Sequence, residues 1–159
     1  MINRMRGTLK INAKEIEVSF PSDAVLLDVL RAYGYTEVHR GCDEGMCGAC
    51  SVLLDGKLVP SCQVFAASAI DSEIITITAL GYPNKPHPIQ QAFVDAGAIQ
   101  CGYCTPAMIL ASYALLKNNP DPTEDDIKTA LDGIICRCSG YVKIIEAVRL
   151  ASSYWRGRA

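Results

Sequence analysis

The chain has 159 residues, half of them apolar and a fifth charged, with a formal net charge of −2. That make-up belongs to a soluble globule of one domain or two small ones, and its charge disfavours nucleic acid as a partner. No apolar stretch is long enough for a secretion signal or a membrane span, since the run from Met108 to Leu116 is short and contains Ser112, so a cytoplasmic location is expected.

In chain order, residues 5–20 read as a hairpin: Ile16, Val18 and Phe20 alternate with Glu15, Glu17 and Ser19, and Asn12-Ala13 mark the turn. Pro21-Ser22-Asp23 opens a helix whose Leu26, Leu27 and Leu30 share a face, and Gly34 ends it. After a glycine- and cysteine-rich loop, Ser51 to Leu54 form a strand, Asp55-Gly56 a turn, and a return strand runs towards Cys62. A short helical stretch and the β-rich segment from Ile74 to Thr78 complete an α+β unit, a plant-ferredoxin-like β-grasp domain over residues 1–80. Residues 81–88, with Pro83, Pro86 and Pro88, read as a linker.

Residues 89–159 form a helical domain. Ile89 to Ala96 is a short helix; Thr105-Pro106 is an N-cap and first-turn pair for a helix ending near Asn118, before Pro120 and Pro122. Thr123 with Asp126 is a capping-box variant for a third helix that Gly133 ends, and Ser139 is the expected cap of the last, where Ile144, Val148, Ala151 and Trp155 recur on one face. Four helices in two hairpins predict a four-helix bundle, with the cysteines of this half on its interhelical turns.

The eight cysteines fall into two sets. Cys42, Cys47, Cys50 and Cys62 read C-x4-C-x2-C-x11-C, the loop spacing of a plant-type [2Fe–2S] site. Cys101, Cys104, Cys136 and Cys138 read C-x2-C, a 31-residue gap, then C-x-C, four more thiolates and enough for a second cluster. Disulfides belong to oxidising compartments, and Cys136 and Cys138 are awkward partners for a bridge. Zinc is the stronger rival, because four-cysteine sites and C-x2-C knuckles are common. Gly41, Gly45 and Gly48 favour the cluster, since glycine lets backbone N–H groups approach the sulfurs. Two one-electron centres in a small chain point to a relay, and halves this small need such staples.

Gly41-Cys42-Asp43-Glu44-Gly45-Met46-Cys47-Gly48-Ala49-Cys50, Gln100-Cys101-Gly102-Tyr103-Cys104-Thr105-Pro106 and Cys136-Arg137-Cys138-Ser139-Gly140-Tyr141 occur in that order. In these motifs the chain resembles the small iron–sulfur subunit of the xanthine oxidase family of molybdenum hydroxylases. The resemblance implies two [2Fe–2S] clusters here. It implies two partners, one large molybdenum–pterin subunit with one medium FAD subunit, and room for a higher-order oligomer. It further implies that the cluster on Cys101, Cys104, Cys136 and Cys138 lies nearest the pterin, that the other lies towards the flavin, and that Gln100 and Cys138 touch the pterin. No substrate site is expected on this chain. Against the family pattern, Ser139 replaces threonine, Ala107 glycine and Met46 glutamate, and Ile134-Ile135 stand where Asn-Leu is usual, which puts one hydrogen bond in doubt.

The rival functions are a diffusible two-cluster carrier and a zinc-bound interaction module. A near balance of 15 basic and 17 acidic residues, with a second cluster domain, favours a fixed subunit over a carrier that docks by an acidic face. His39 and His87 are expected to be isolated and solvated, Arg40 and Arg137 solvated, and Tyr113 and Trp155 to serve packing. No glycine-rich nucleotide loop is present.

Overall fold

The computed structural model describes residues 3–156. Strands β1 (Arg4–Ile11) and β2 (Lys14–Pro21) pair antiparallel from Arg4 opposite Pro21 to Ile11 opposite Lys14. Asn12 and Ala13 both take positive φ, 53° and 62°, so the two-residue connection twists with the strands it joins. Alternation then buries Leu9, Ile11, Val18 and Phe20 on one face. Helix α1 (Leu26–Ala32) lays Leu26, Leu27, Val29 and Leu30 on that face.

Strands β3 (Ser51–Leu54) and β4 (Lys57–Pro60) form the second hairpin around Asp55-Gly56, and β5 (Glu73–Ile75) completes a mixed five-stranded sheet in the order β2-β1-β5-β3-β4. The central strand runs parallel to β1 and antiparallel to β3. It ends three residues earlier than the sequence predicts. The Thr76 N–H leaves the ladder for Asn12 Oδ1 at 2.8 Å, and the Thr76 and Thr78 hydroxyls both donate to Glu37 Oε1, at 2.7 and 3.0 Å. Residues Ile77–Ala79 turn as a single 3-10 segment. In the stretch expected as a linker, Tyr82 and Lys85 exchange two backbone hydrogen bonds, at 3.2 and 2.9 Å, around Pro83-Asn84.

The remaining elements are α2 (Pro88–Asp95), α3 (Thr105–Asn118), α4 (Glu124–Leu131) and α5 (Val142–Arg156). The molecule is therefore α+β: a ferredoxin-like sheet with α1, followed by a helical half. Phe93, Met108, Leu116, Ile127, Ile144 and Val148 form a second core, against which Leu58, Ile77 and Leu80 of the first half also pack. Burying side chains of this size contributes about 1.5–3 kcal/mol each.

Two predicted caps differ. Thr105 is the first residue inside α3, and Cys104 takes the capping position without a side-chain bond, because its sulfur is turned to the other cysteines. Ser139 lies too far from α5 to cap it; its hydroxyl accepts the Tyr141 N–H at 3.2 Å and lies 3.0 Å from Cys136 Sγ. The Thr123–Asp126 box forms as expected, with reciprocal bonds of 3.2 and 2.9 Å.

Candidate metal centres

The first candidate centre lies in the irregular loop between α1 and β3. Gly45 and Gly48 take φ of +75° and +65°, and Asp43 is also left-handed at 64°, so the chain coils tightly enough to turn its N–H groups inward. Cys42 Sγ accepts the N–H groups of Glu44 and Cys47, both at 3.4 Å, and Gln63 Nε2 reaches Cys62 Sγ at 3.5 Å. The space is full: a Cβ on Gly41 would stand 2.6 Å from Cys47 Sγ. Cys62 enters from the 3-10 turn after β4 and is buried with Cys50.

The second centre joins two turns. Cys101 and Cys104 lie between α2 and α3, and Cys136 and Cys138 between α4 and α5. Tyr141 organises the second turn: its hydroxyl accepts the Cys136 N–H at 3.0 Å and donates to Ile134 O at 3.1 Å. Ile134 itself is buried in the helical core, so a tyrosine hydroxyl and apolar packing hold this turn. Cys136 Sγ also accepts the Ser139 N–H at 3.4 Å.

All eight thiols stand in pairs. Cys101 and Cys138 sulfurs are 3.5 Å apart, and Cys42 with Cys47, Cys50 with Cys62, and Cys104 with Cys136 are within hydrogen-bond reach. Among the described residues no three such side chains converge as a cage for one metal ion. Two pairs per site is the donor set of a binuclear cluster with two thiolates to each iron, so the residues present fit [2Fe–2S] at both places.

Electrostatics differ within each site. The N–H groups of Glu44 and Cys47 bring the Cys42 thiol down to about 7. Burial pushes Cys50 up to about 11 and Cys104 up to about 12, so there the thiolate requires a cationic partner. Burial also raises Cys136, but the Ser139 hydroxyl and N–H, with the Cys138 N–H and Cys104, together outweigh it and leave the thiol below its ordinary value. Cys101 is lowered by the Tyr103 N–H and by Cys138.

The two loops touch, which the sequence did not disclose. Ile135 N–H donates to Cys47 O at 2.9 Å, one residue from Cys136. Beside that bond, a Cβ on Gly48 would lie 2.3 Å from Gly133 O, so the backbones meet with no room for a side chain. The sequence signals were the glycines themselves, which only pairing in space could connect.

Gln100 is exposed beside Cys101, and its side chain bonds to no described residue. The histidines are not isolated. His39 stacks on Tyr103 at 4.5 Å and its Nδ1 lies 2.8 Å from Tyr103 O. His87 caps α2, accepting the Ile89 N–H at 3.3 Å, and packs against Tyr113 and Trp155. Arg40 pairs with Asp28 and with Asp43, so it is anchored and not simply solvated.

Residues 9–73 match the 2Fe-2S iron-sulfur cluster binding domain and residues 76–149 the [2Fe-2S] binding domain. The chain is 46% identical over 151 residues to the nicotinate dehydrogenase small FeS subunit of Eubacterium barkeri, covering 94% of this chain and 96% of that one. It is 37% identical over 147 residues to the nicotine 6-hydroxylase small subunit of Paenarthrobacter nicotinovorans, covering 92% and 88%. Among solved structures, quinoline 2-oxidoreductase from Pseudomonas putida 86 superposes with a TM-score of 0.90 at 34% identity over 98% of this chain and 99% of that one. Aldehyde oxidoreductase from Desulfovibrio gigas gives 0.92 at 37% identity over 98% of this chain, which spans only 18% of that one.

Proposed function

Because the chain belongs to the small [2Fe–2S] subunits of the xanthine oxidase family of molybdenum hydroxylases, we propose that its eight cysteines hold two clusters as the fixed relay of a larger oxidoreductase. Its role is electron transfer within that complex. Each [2Fe–2S] cluster, when bound, takes up and releases one electron. Cys42, Cys47, Cys50 and Cys62 are the proposed ligands of the first, and Cys101, Cys104, Cys136 and Cys138 of the second.

The observation that carries this proposal is the bond from Ile135 N–H to Cys47 O. It links a proposed ligand of one site to the neighbour of a proposed ligand of the other through main chain alone. Gly48 against Gly133 leaves no room for a side chain in that junction. The buried thiols Cys50 and Cys104 lie away from solvent, whereas Cys101 and Cys138 are exposed and face outward. An exposed pair needs cover, and the large molybdenum–pterin subunit is the proposed cover. Gln100 beside it offers both a donor and an acceptor, as the edge of a pterin requires, and Cys138 is the second proposed contact. The proposed contact of the medium FAD subunit is the side of the first loop, and the 67% exposure of Met46 there supports it.

The proposed division of the chain is a β-grasp unit over residues 1–80, a connection over 81–88, and a small helical bundle over 89–159. The proposed location is the cytoplasm, where reduced thiols persist.

Purification of the native complex tests the whole. About four iron and four sulfide per small chain and two distinct paramagnetic signals on reduction are expected, together with molybdenum and flavin in the larger chains. Stoichiometric zinc without sulfide would sink the cluster assignment. A chain that purifies alone, loaded and exchanging electrons freely, would instead make it a diffusible carrier.

A further inference from the structure

The two cysteine loops are joined a second time, at residues that the relay does not use as ligands. Tyr103 sits between Cys101 and Cys104 and is held by the segment that leads into Cys42. Its ring lies on His39 with an interplanar angle of 16°, its carbonyl is 2.8 Å from His39 Nδ1, and its hydroxyl donates to Arg40 O at 2.5 Å. A carbonyl can only accept, so His39 carries its proton on Nδ1. Arg40 is in turn fixed by Asp28 on α1 and by Asp43 in the first loop. The exposed Cys101–Cys104 turn is thereby referenced to α1.

We propose that His39 and Tyr103 form a clamp that sets the position of the second cluster's turn relative to the first, making His39 a positioning residue for electron passage between the two sites. Chemistry at the contact supports this over incidental packing. Tyr103 remains 46% exposed, so burial alone does not hold its ring. The face-on stack, the carbonyl bond and the hydroxyl bond each fix a different direction, and together they leave the turn little freedom. The Ile135–Cys47 bond fixes only the Cys136 side of the second site; without the clamp, the Cys101 side would be tied to the first half by nothing else among the hydrogen bonds described.

The clamp rests on the assignment of two clusters above, and its test separates the two. The full-length chain in its native complex is prepared as parent, His39→Ala, His39→Phe and Tyr103→Phe. Iron and sulfide content, exchange of the Thr105 amide, and the magnetic interaction between the two reduced clusters are measured on each. Thr105 N–H bonds Gly102 O at 3.2 Å within the turn and reports its looseness. Each lost hydrogen bond should speed that exchange roughly fivefold, which corresponds to about 1 kcal/mol. His39→Ala, which loses a bond and the stack, should be affected most. His39→Phe and Tyr103→Phe, which each lose one bond and keep the stack, should be affected less and about equally, with weaker or more heterogeneous magnetic interaction following the same pattern. Should His39→Ala lose iron, Tyr103→Phe still decides, because it removes one oxygen atom and keeps the ring. Unchanged exchange and unchanged magnetic interaction in the loaded variants would overturn the clamp. A parent that lacks two clusters would instead overturn the assignment on which it rests.

Discussion

In the ferredoxin-like half, three candidate ligands lie within nine consecutive residues, Cys42 to Cys50, whereas the helical half draws its four from turns that the sequence keeps 31 residues apart. The first loop shapes itself: left-handed residues, inward N–H groups and a hairpin that returns Cys62 are all local. The second has no such loop, and its two turns are brought together by distant packing, α2 on α5 and α3 on α4. A cross-link between distant segments removes more freedom from the unfolded chain than one inside a short loop. The helical half should therefore depend on its cluster for stability more than the sheet half does.

The largest effects come from removing one cluster at a time. Cys47→Ala should lose the first cluster and keep the second, leaving most of the helical content and its melting temperature intact. Substrate should still reduce molybdenum, while delivery to the flavin collapses. Cys136→Ala should lose the second and also lower the melting temperature of the helical half. Circular dichroism with iron analysis reads both. Equal thermal losses in the two variants would erase the proposed asymmetry.

Next in size is the seam between the halves. Gly48→Ala adds left-handed strain of about 1–3 kcal/mol and a backbone clash, so a loss of about 3 kcal/mol or more is expected in denaturant unfolding. Gly133→Ala is its control. Gly133 is also left-handed at +81°, but an added Cβ would meet nothing within 4 Å, so strain alone should remain. Similar losses for the two would mean that the seam tolerates separation.

A smaller effect distinguishes the sulfurs. Ser139→Ala removes the hydroxyl 3.0 Å from Cys136 Sγ. Hydrogen bonds to ligating sulfur raise a cluster's potential, so the second cluster should fall by roughly 40 mV, the one-electron equivalent of about 1 kcal/mol, and the first should not move. Redox titration followed by paramagnetic resonance measures each separately.

The smallest concerns the helical half alone. The Thr123 hydroxyl and then its N–H hold the Asp126 carboxyl below the usual range. That contribution is complete above the ordinary aspartate value of about 4 and disappears as pH falls through the depressed folded value. Thr123→Ala should cost about 1 kcal/mol or less at neutral pH, and the gap from the parent should narrow on acidification. A gap independent of pH would place the cap's value elsewhere.

Local features were legible in the sequence. The Asn12-Ala13 and Asp55-Gly56 turns, the apolar alternation of β2, the Thr123 box and the close spacing of Cys42, Cys47 and Cys50 depend on neighbours a few residues away. What escaped depends on distant partners. Nothing local says that β5 runs beside β1, or that Asn12 takes the Thr76 N–H and ends the strand. Thr105-Pro106 has a capping sequence, yet the sulfur of Cys104 fixes the turn one residue earlier. His39 and His87 looked solitary because their rings find Tyr103 and Trp155 across large sequence separations.

The hydrogen bond from Ile135 to Cys47 also has a meaning in time. During synthesis the sheet half can collapse on its own first loop long before residue 135 leaves the ribosome. Contacts between such distant residues are late to form, since the intervening chain must first be ordered. A nascent chain thus presents Gly48 and the Cys47 carbonyl as a bare, narrow ledge until the fourth and fifth helices arrive. Closure of that ledge joins the two halves through main chain.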